Sequence, residues 1–174
     1  KSKIRTVHLY GRRGPEHVAF TAPELRELPK LHETDVEINP QYIDDAITRA
    51  SARMESEKDL RSNLEAMREI AHTEPRGKER KLSLAFLLTP LEVVGSGRVE
   101  RVRFAVNAVK DSKVVATGEE IELPCDLLIT AIGYEGIEIP GVPNERGRVA
   151  NVDGKVRAGL YVVGWAKRGP SGVI

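Results

Sequence analysis

The chain has 174 residues, 27 Lys+Arg against 26 Asp+Glu, and a net charge of +1. It is the size of one domain and lacks the basic excess of a protein built to neutralise nucleic-acid phosphates. Hydrophobic residues make up 40%, enough for a buried core and too many for a disordered tail, while the single Cys125 excludes an internal disulfide framework or a multi-cysteine metal site.

Residues 3–10 alternate apolar and polar types and are rich in β-branched and aromatic side chains, which predicts a strand. It runs into Gly11-Arg12-Arg13-Gly14-Pro15, where two glycines and a proline impose a loop. Pro23 followed by Glu24-Leu25-Arg26-Glu27-Leu28 predicts a short helix with Thr21 as its N-cap. Val36-Glu37-Ile38 is extended. From residue 42 to 72 two apolar stripes at helical spacing, Ile43, Ile47, Ala50, Met54 and then Leu60, Leu64, Met67, Ala71, predict two helices divided near Glu55-Ser56-Glu57-Lys58. Residues 73–80 form a loop.

Residues 82–88 then read as a strand buried on both faces. Residues 98–110 alternate, with Val99, Val102, Phe104 and Val106 as apolar positions and Arg101 and Arg103 outward, and 114–124 is the hairpin partner across Asp111-Ser112-Lys113. Residues 126–130 predict another buried strand. After the turn-rich Pro140, Gly141 and Pro143, residues 159–165 predict a last one. This order is that of an α/β sheet with an inserted antiparallel flap. No apolar run is long enough to span a bilayer.

Arg12 and Arg13 stand at a strand terminus. In a Rossmann unit that position lies beside the adenine ribose, where an acidic residue binds the 2′-hydroxyl of NAD and arginines accommodate the 2′-phosphate of NADP. Two guanidinium groups can clamp that phosphate through charge-assisted hydrogen bonds; a solvated basic turn is the plain alternative. The sequence has no G-x-G-x-x-G, the turn that holds a cofactor pyrophosphate at a helix N-terminus. If Arg12 and Arg13 end a second Rossmann strand, the first strand and its phosphate loop are expected upstream of Lys1, and the chain holds half of a pocket.

The segment GRRGP, with Ala19-Phe20-Thr21 and residues 24–28, resembles the NADPH-recognising segment of adrenodoxin-reductase-type ferredoxin–NADP reductases. Residues 164–174, GWAKRGPSGVI, are similar to the GW-x-KRGP-S/T-GVI block of that family, and Leu123-Pro124-Cys125-Asp126-Leu127 with Ile132-Gly133-Tyr134 sits where the family has a strand–glycine signature. The resemblance implies an α/β fold: a Rossmann-like three-layer NADP-binding domain with an inserted antiparallel β-meander, incomplete at the N-terminus. It would cover residues 1–158, and residues 159–174 would begin the return into an FAD-binding domain.

By the same resemblance, Arg12 and Arg13 hold the NADP 2′-phosphate, Glu24 contacts the ribose–nicotinamide end, and Glu27 lies near the nicotinamide in a catalytic, proton-handling role. Trp165, Gly172, Val173 and Ile174 meet FAD, with Gly172 also near NADP. The implied activity is hydride transfer between NADPH and FAD coupled to single-electron transfer with a ferredoxin-type iron–sulfur protein. The alternatives are a related flavoprotein with another acceptor, such as a glutamate-synthase-like enzyme, or a truncated, inactive nucleotide-binding fragment. Glu24 and Glu27 also read as charges on a helix end, and Trp165 as core. Cys125 reads as a small buried hydrophobe and Ser171 as a loop residue. The basic residues Arg61, Arg68, Arg76, Lys78, Arg80 and Lys81 offer either a docking face for an acidic ferredoxin or a solvated surface. The four histidines show no metal-ligand spacing, so no metal is assigned. A reducing, cytoplasmic setting is expected from the one thiol.

Overall fold

The computed structural model describes residues 2–133 and 136–169. The chain divides into two compact units, Lys1–Leu127 and Leu128–Ile174.

The first unit is built on a three-stranded parallel sheet in the order β1-β3-β2, from β1 (Thr6–Gly11), β2 (Thr34–Ile38) and β3 (Arg80–Phe86). The register sets Val7, Leu9 and Gly11 opposite Leu82, Leu84 and Phe86, so these residues share one face. Three helices pack on that face: α1 (Ala22–Glu27), α2 (Pro40–Ser56) and α3 (Lys58–Ala71). The residues predicted as the two helical stripes bury the core. Ile43, Ala50, Leu64 and Met67 join Ile38, Leu84 and Phe86 in one cluster, with Ile47, Met54, Leu60 and Ala71 at its margin. Burying each of the larger side chains contributes on the order of 2 kcal/mol.

Asn39 starts α2 by accepting a 3.0 Å hydrogen bond from the Gln41 amide, with Pro40 in the first turn. The division between α2 and α3 is a single extended residue, Glu57, whose carboxylate takes both the Nε–H and an Nη–H of Arg53 at 2.9 Å. At the same joint the Arg61 guanidinium caps the carbonyls of Met54 and Glu55.

The apolar run 82–88 is two strands. β3 ends at Phe86, β4 (Leu88–Val94) begins at Leu88, and Leu87 between them has φ 62°. That left-handed conformation is costly for a branched residue, and it redirects the chain into an antiparallel meander β4-β5-β6 with β5 (Arg101–Lys110) and β6 (Lys113–Pro124). The tight turn places Asp111 and Ser112 at φ 49° and 59°, the backbone of a two-residue hairpin of matching twist. Leu88, Val102 and Phe104 form a second buried cluster, joined by Tyr10 and Ala85 from the sheet face opposite the helices. The architecture is thus mixed α/β, a parallel sheet with helices and an inserted antiparallel meander, as the sequence predicts.

The second unit is small. It contains the hairpins β7 (Asn144–Glu145) with β8 (Arg148–Val149) and β9 (Lys155–Arg157) with β10 (Leu160–Tyr161), then α4 (Gly164–Arg168). Two predicted strands are corrected. Residues 126–130 form no strand, and Ile129 is 76% exposed; of 159–165 only Leu160 and Tyr161 pair, while Gly164 and Trp165 open a helix. Both predictions rested on apolar runs, but a strand exists only where a neighbour completes its ladder. Among the described residues nothing pairs with 126–130. No helix among them is long and apolar enough to cross a membrane.

Candidate functional site

β1 delivers the chain to the carboxyl end of the parallel sheet, the end at which open α/β sheets bind ligands. There Arg12 and Arg13 are exposed, whereas Gly14, Pro15 and Glu16 directly after them are buried. The loop therefore presents two cations from a closed base. Neither arginine pairs with a carboxylate among the described residues; Arg13 makes only a long 3.4 Å bond from Nη2 to the His17 carbonyl. By contrast Arg5, Arg49, Arg53, Arg80, Arg101 and Arg103 are each ion-paired. Two adjacent guanidinium groups without counter-charge suit a dianionic phosphate.

The base of the loop is an ion pair that sequence reasoning missed. Glu16, its side chain 5% exposed, receives Nε–H of Arg49 at 2.9 Å and Nη2–H at 3.2 Å. Arg49 comes from α2, thirty-three positions along the chain, so no local pattern could reveal it. The carboxylate lies directly under Gly14. A Cβ there would collide with the Glu16 carboxylate, so any other residue at the second glycine of GRRGP would have to push that carboxylate off its place on Arg49. His17 follows in the short turn Pro15–His17. Burial, with the cations Arg13, Arg53 and Arg49 acting the same way against the opposing pull of Glu16, holds its imidazole pKa below the usual value.

From above, the loop is fastened by the meander. The Leu87 amide donates to the Arg13 carbonyl at 3.3 Å, and the Asn107 side-chain amide donates to the Arg12 carbonyl at 3.1 Å. Asn107 was also unforeseen. A polar amide among Val, Ala and Phe in a strand is its only sequence signal.

Glu24 and Glu27 lie on the first and last turns of α1, both exposed. The Thr21 amide and hydroxyl donate to Glu24 Oε2 at 2.7 and 2.9 Å, closing the N-terminus with the predicted N-cap residue. The amide bond first, and the hydroxyl bond second, hold the Glu24 carboxyl below the usual carboxylate range. Glu27 is ion-paired with Lys30 at 2.7 Å. The segment before α1 is pinned from α3 by the Asn63 amide, which donates to the Phe20 carbonyl at 2.6 Å. Trp165 lies in α4 of the second unit and is 47% exposed. Gly172, Val173 and Ile174, and with them the end of the GWAKRGPSGVI block, fall outside the described residues. The structure thus gathers Arg12 and Arg13 into one loop and sets the two glutamates on the next helix. Among the described residues no group of three or more His, Cys, Asp or Glu could hold a metal ion.

No family model matches the chain. It is 40% identical over 180 residues to the NADPH-ferredoxin reductase FprA of Mycobacterium tuberculosis, an alignment of 98% of this chain and 39% of that protein. It is 37% identical over 192 residues to the mitochondrial NADPH:adrenodoxin oxidoreductase of Salvelinus fontinalis, covering all of this chain and 38% of that one. The solved structure of M. tuberculosis FprA in complex with NADPH superimposes with a TM-score of 0.83 at 38% identity, over 98% of this chain and 39% of that chain. The chain spans about two fifths of the length of the curated relatives it matches. Over nearly its whole length it is homologous to that portion of the NADPH-ferredoxin reductases of the FprA and adrenodoxin-reductase type.

Proposed function

We propose that this chain is the NADP-binding portion of an FAD-dependent ferredoxin–NADP reductase, with residues 159–174 beginning the return into the FAD-binding domain. The observation that carries the proposal is the uncompensated pair Arg12-Arg13, held out from a buried base at the carboxyl end of β1. Similarity along 98% of the chain to the NADPH-ferredoxin reductase FprA supports it. When bound, NADPH supplies a hydride and FAD converts that pair into single electrons for a ferredoxin-type iron–sulfur acceptor.

In this reading the chain selects and orients. Arg12 and Arg13 bind the 2′-phosphate and so distinguish NADPH from NADH. Glu24 meets the ribose–nicotinamide end, and its commitment to Thr21 fixes where its oxygens point. Glu27 is the proton-handling candidate beside the nicotinamide. Exchanging Lys30 for substrate would free its carboxylate. Trp165 and residues 172–174 are assigned to FAD. A cytoplasmic setting belongs to the same proposal, although the adrenodoxin oxidoreductases among the relatives are named mitochondrial.

The test is kinetic. In the complete reductase Arg12→Ala or Arg13→Ala should raise KM for NADPH about 10- to 100-fold, the size expected for one charge-assisted hydrogen bond. KM for NADH should change less than about threefold, since a cofactor without the phosphate loses no partner. Equal effects on both cofactors would remove the 2′-phosphate assignment.

A further inference from the structure

The register of the meander breaks at two places, between Pro90 and Glu92 where β4 meets β5, and between Ala105 and Asn107 where β5 meets β6. The second is the wider. Ala105 pairs with Glu120, but Asn107 pairs with Ala116, so one residue of β5 faces three of β6, among them Gly118 at φ 89°. The Thr117 hydroxyl secures the irregularity by donating to the Val106 carbonyl at 2.9 Å. The extra residues lie on β6, and the alternation of β5 runs through the irregularity: Val102, Phe104 and Val106 face one cluster, while Asn107, 7% exposed, is buried on the opposite face beside Thr89, whose cross-strand partner is Ala105. The side chain buried on that face is polar.

Its hydrogen bonds show what this buried amide does. Asn107 Nδ2 donates to the Arg12 carbonyl at 3.1 Å and to the Thr89 hydroxyl at 2.7 Å, using both of its N–H groups. The Asn107 backbone amide donates to the Leu87 carbonyl at 2.8 Å, and the Leu87 amide donates to the Arg13 carbonyl at 3.3 Å. The carbonyls of both arginines are thus taken by one closed circuit: Arg12, Asn107, Leu87, Arg13. Two costly features, a left-handed leucine and a buried side-chain amide, converge on the same dipeptide. A helix or a simple loop could satisfy these carbonyls more cheaply with water.

Resting on the 2′-phosphate reading above, we infer that Asn107 is a specificity-positioning residue: by holding the Arg12 carbonyl it fixes the direction in which the Arg12 and Arg13 side chains leave the loop, and so sets the preference for a 2′-phosphorylated adenine nucleotide. Asn107 touches no nucleotide itself. It acts through the peptide plane between Arg12 and Arg13, whose rotation would swing both guanidinium groups away from a common target. The position is fixed by packing on two sides, from Asn107 above and from Glu16 and Arg49 below.

The experiment compares Asn107→Leu and Thr89→Val with the parent in the complete, FAD-loaded reductase. Thr89→Val removes only the second partner of Nδ2 and guards against a misfolded Asn107 variant. The readouts are KM and kcat for NADPH and NADH, and the dissociation constants of adenosine 2′,5′-bisphosphate and adenosine 5′-diphosphate. For Asn107→Leu, KM for NADPH and the dissociation constant of the 2′,5′-bisphosphate should rise about tenfold. The values for NADH and the 5′-diphosphate, and kcat at saturating NADPH, should stay within about twofold. Thr89→Val should shift the same ratios about threefold. A merely structural role would weaken all four ligands alike, or lower kcat, and either result overturns the inference. If Arg12→Ala shifts the NADPH/NADH ratio and Asn107→Leu does not, the positioning role fails alone. If neither does, the 2′-phosphate reading fails with it.

Discussion

Removing Arg49 should damage the arginine loop more than its distance along the chain suggests, and neutralising Glu16 should repair part of that damage. Glu16 is buried beneath Gly14 with both oxygens on the Arg49 guanidinium. At 2.9 Å and an effective dielectric of about 20 the gross attraction is about 6 kcal/mol, largely offset by the desolvation of both groups. Arg49→Ala leaves a largely buried carboxylate without its partner, and breaking such a pair costs about 3–5 kcal/mol. The Arg49 side chain is 28% exposed, which places the cost near the lower end, about 3 kcal/mol. In that background Glu16→Gln removes the orphaned charge while keeping the side-chain volume, and should return about 1–2 kcal/mol. Hydrogen exchange of peptides covering residues 12–20 and 45–53 in the complete protein reads this locally. Protection should fall about 100-fold in Arg49→Ala and recover about tenfold in the double variant. If Glu16→Gln has no effect on Arg49→Ala, or lowers protection further, Glu16 is not a buried charge and the reasoning fails.

Two further outcomes follow from titrating groups. The His17 pKa should rise toward 6.5 in Arg13→Ala, which removes a cation, and fall further in Glu16→Gln, which removes the opposing anion; NMR titration of the ring protons checks both signs. Because its folded pKa is lowered, the unfolded chain binds the proton first, so loop stability is present above about 6.5 and declines as pH falls below it. Glu24 should titrate below an ordinary glutamate, with its stabilisation of α1 present above about 4.5 and lost on acidification. Thr21→Val should reverse that shift only in part, since the backbone amide bond survives, and exchange of the α1 amides should quicken by about fivefold or less. An unchanged Glu24 titration curve would contradict the hydroxyl bond.

The elements legible in the sequence are those whose cause is local. The stripe Ile43, Ile47, Ala50, Met54 states a helix by its spacing, and Asp111-Ser112 states a hairpin because its flanks alternate. GRRGP marked the loop through the special needs of Gly and Pro. What stayed hidden depends on partners far along the chain. Glu16 reads as an ordinary surface acid until Arg49 folds beneath it. Leu87 reads as one more apolar residue of a strand, though its left-handed backbone splits that strand in two. Asn107 lies on the face of β5 opposite Val102, Phe104 and Val106, and its burial there depends on partners elsewhere in the chain, the Arg12 carbonyl and Thr89. Residues 126–130 failed for the converse reason: their composition suits a strand, but nothing among the described residues stands beside them. Asp153-Gly154, at φ 51° and 92°, is by contrast a turn with a local cause, a dipeptide suited to left-handed backbone.

The single-residue junction at Leu87 also constrains how this chain can change. Side chains alternate faces with a period of two, so one residue gained or lost between Phe86 and Leu88 would invert all of β4 and turn Leu88 out of its cluster. It would also separate the Leu87 amide from Arg13. Most boundaries between two sheets tolerate length variation, because a loop absorbs it. Here there is no loop. Parallel sheet and meander meet at Leu87, whose amide also holds the Arg13 carbonyl, so a change of length in the flap is accommodated at its two turns, residues 95–100 and 111–112, and not at its root.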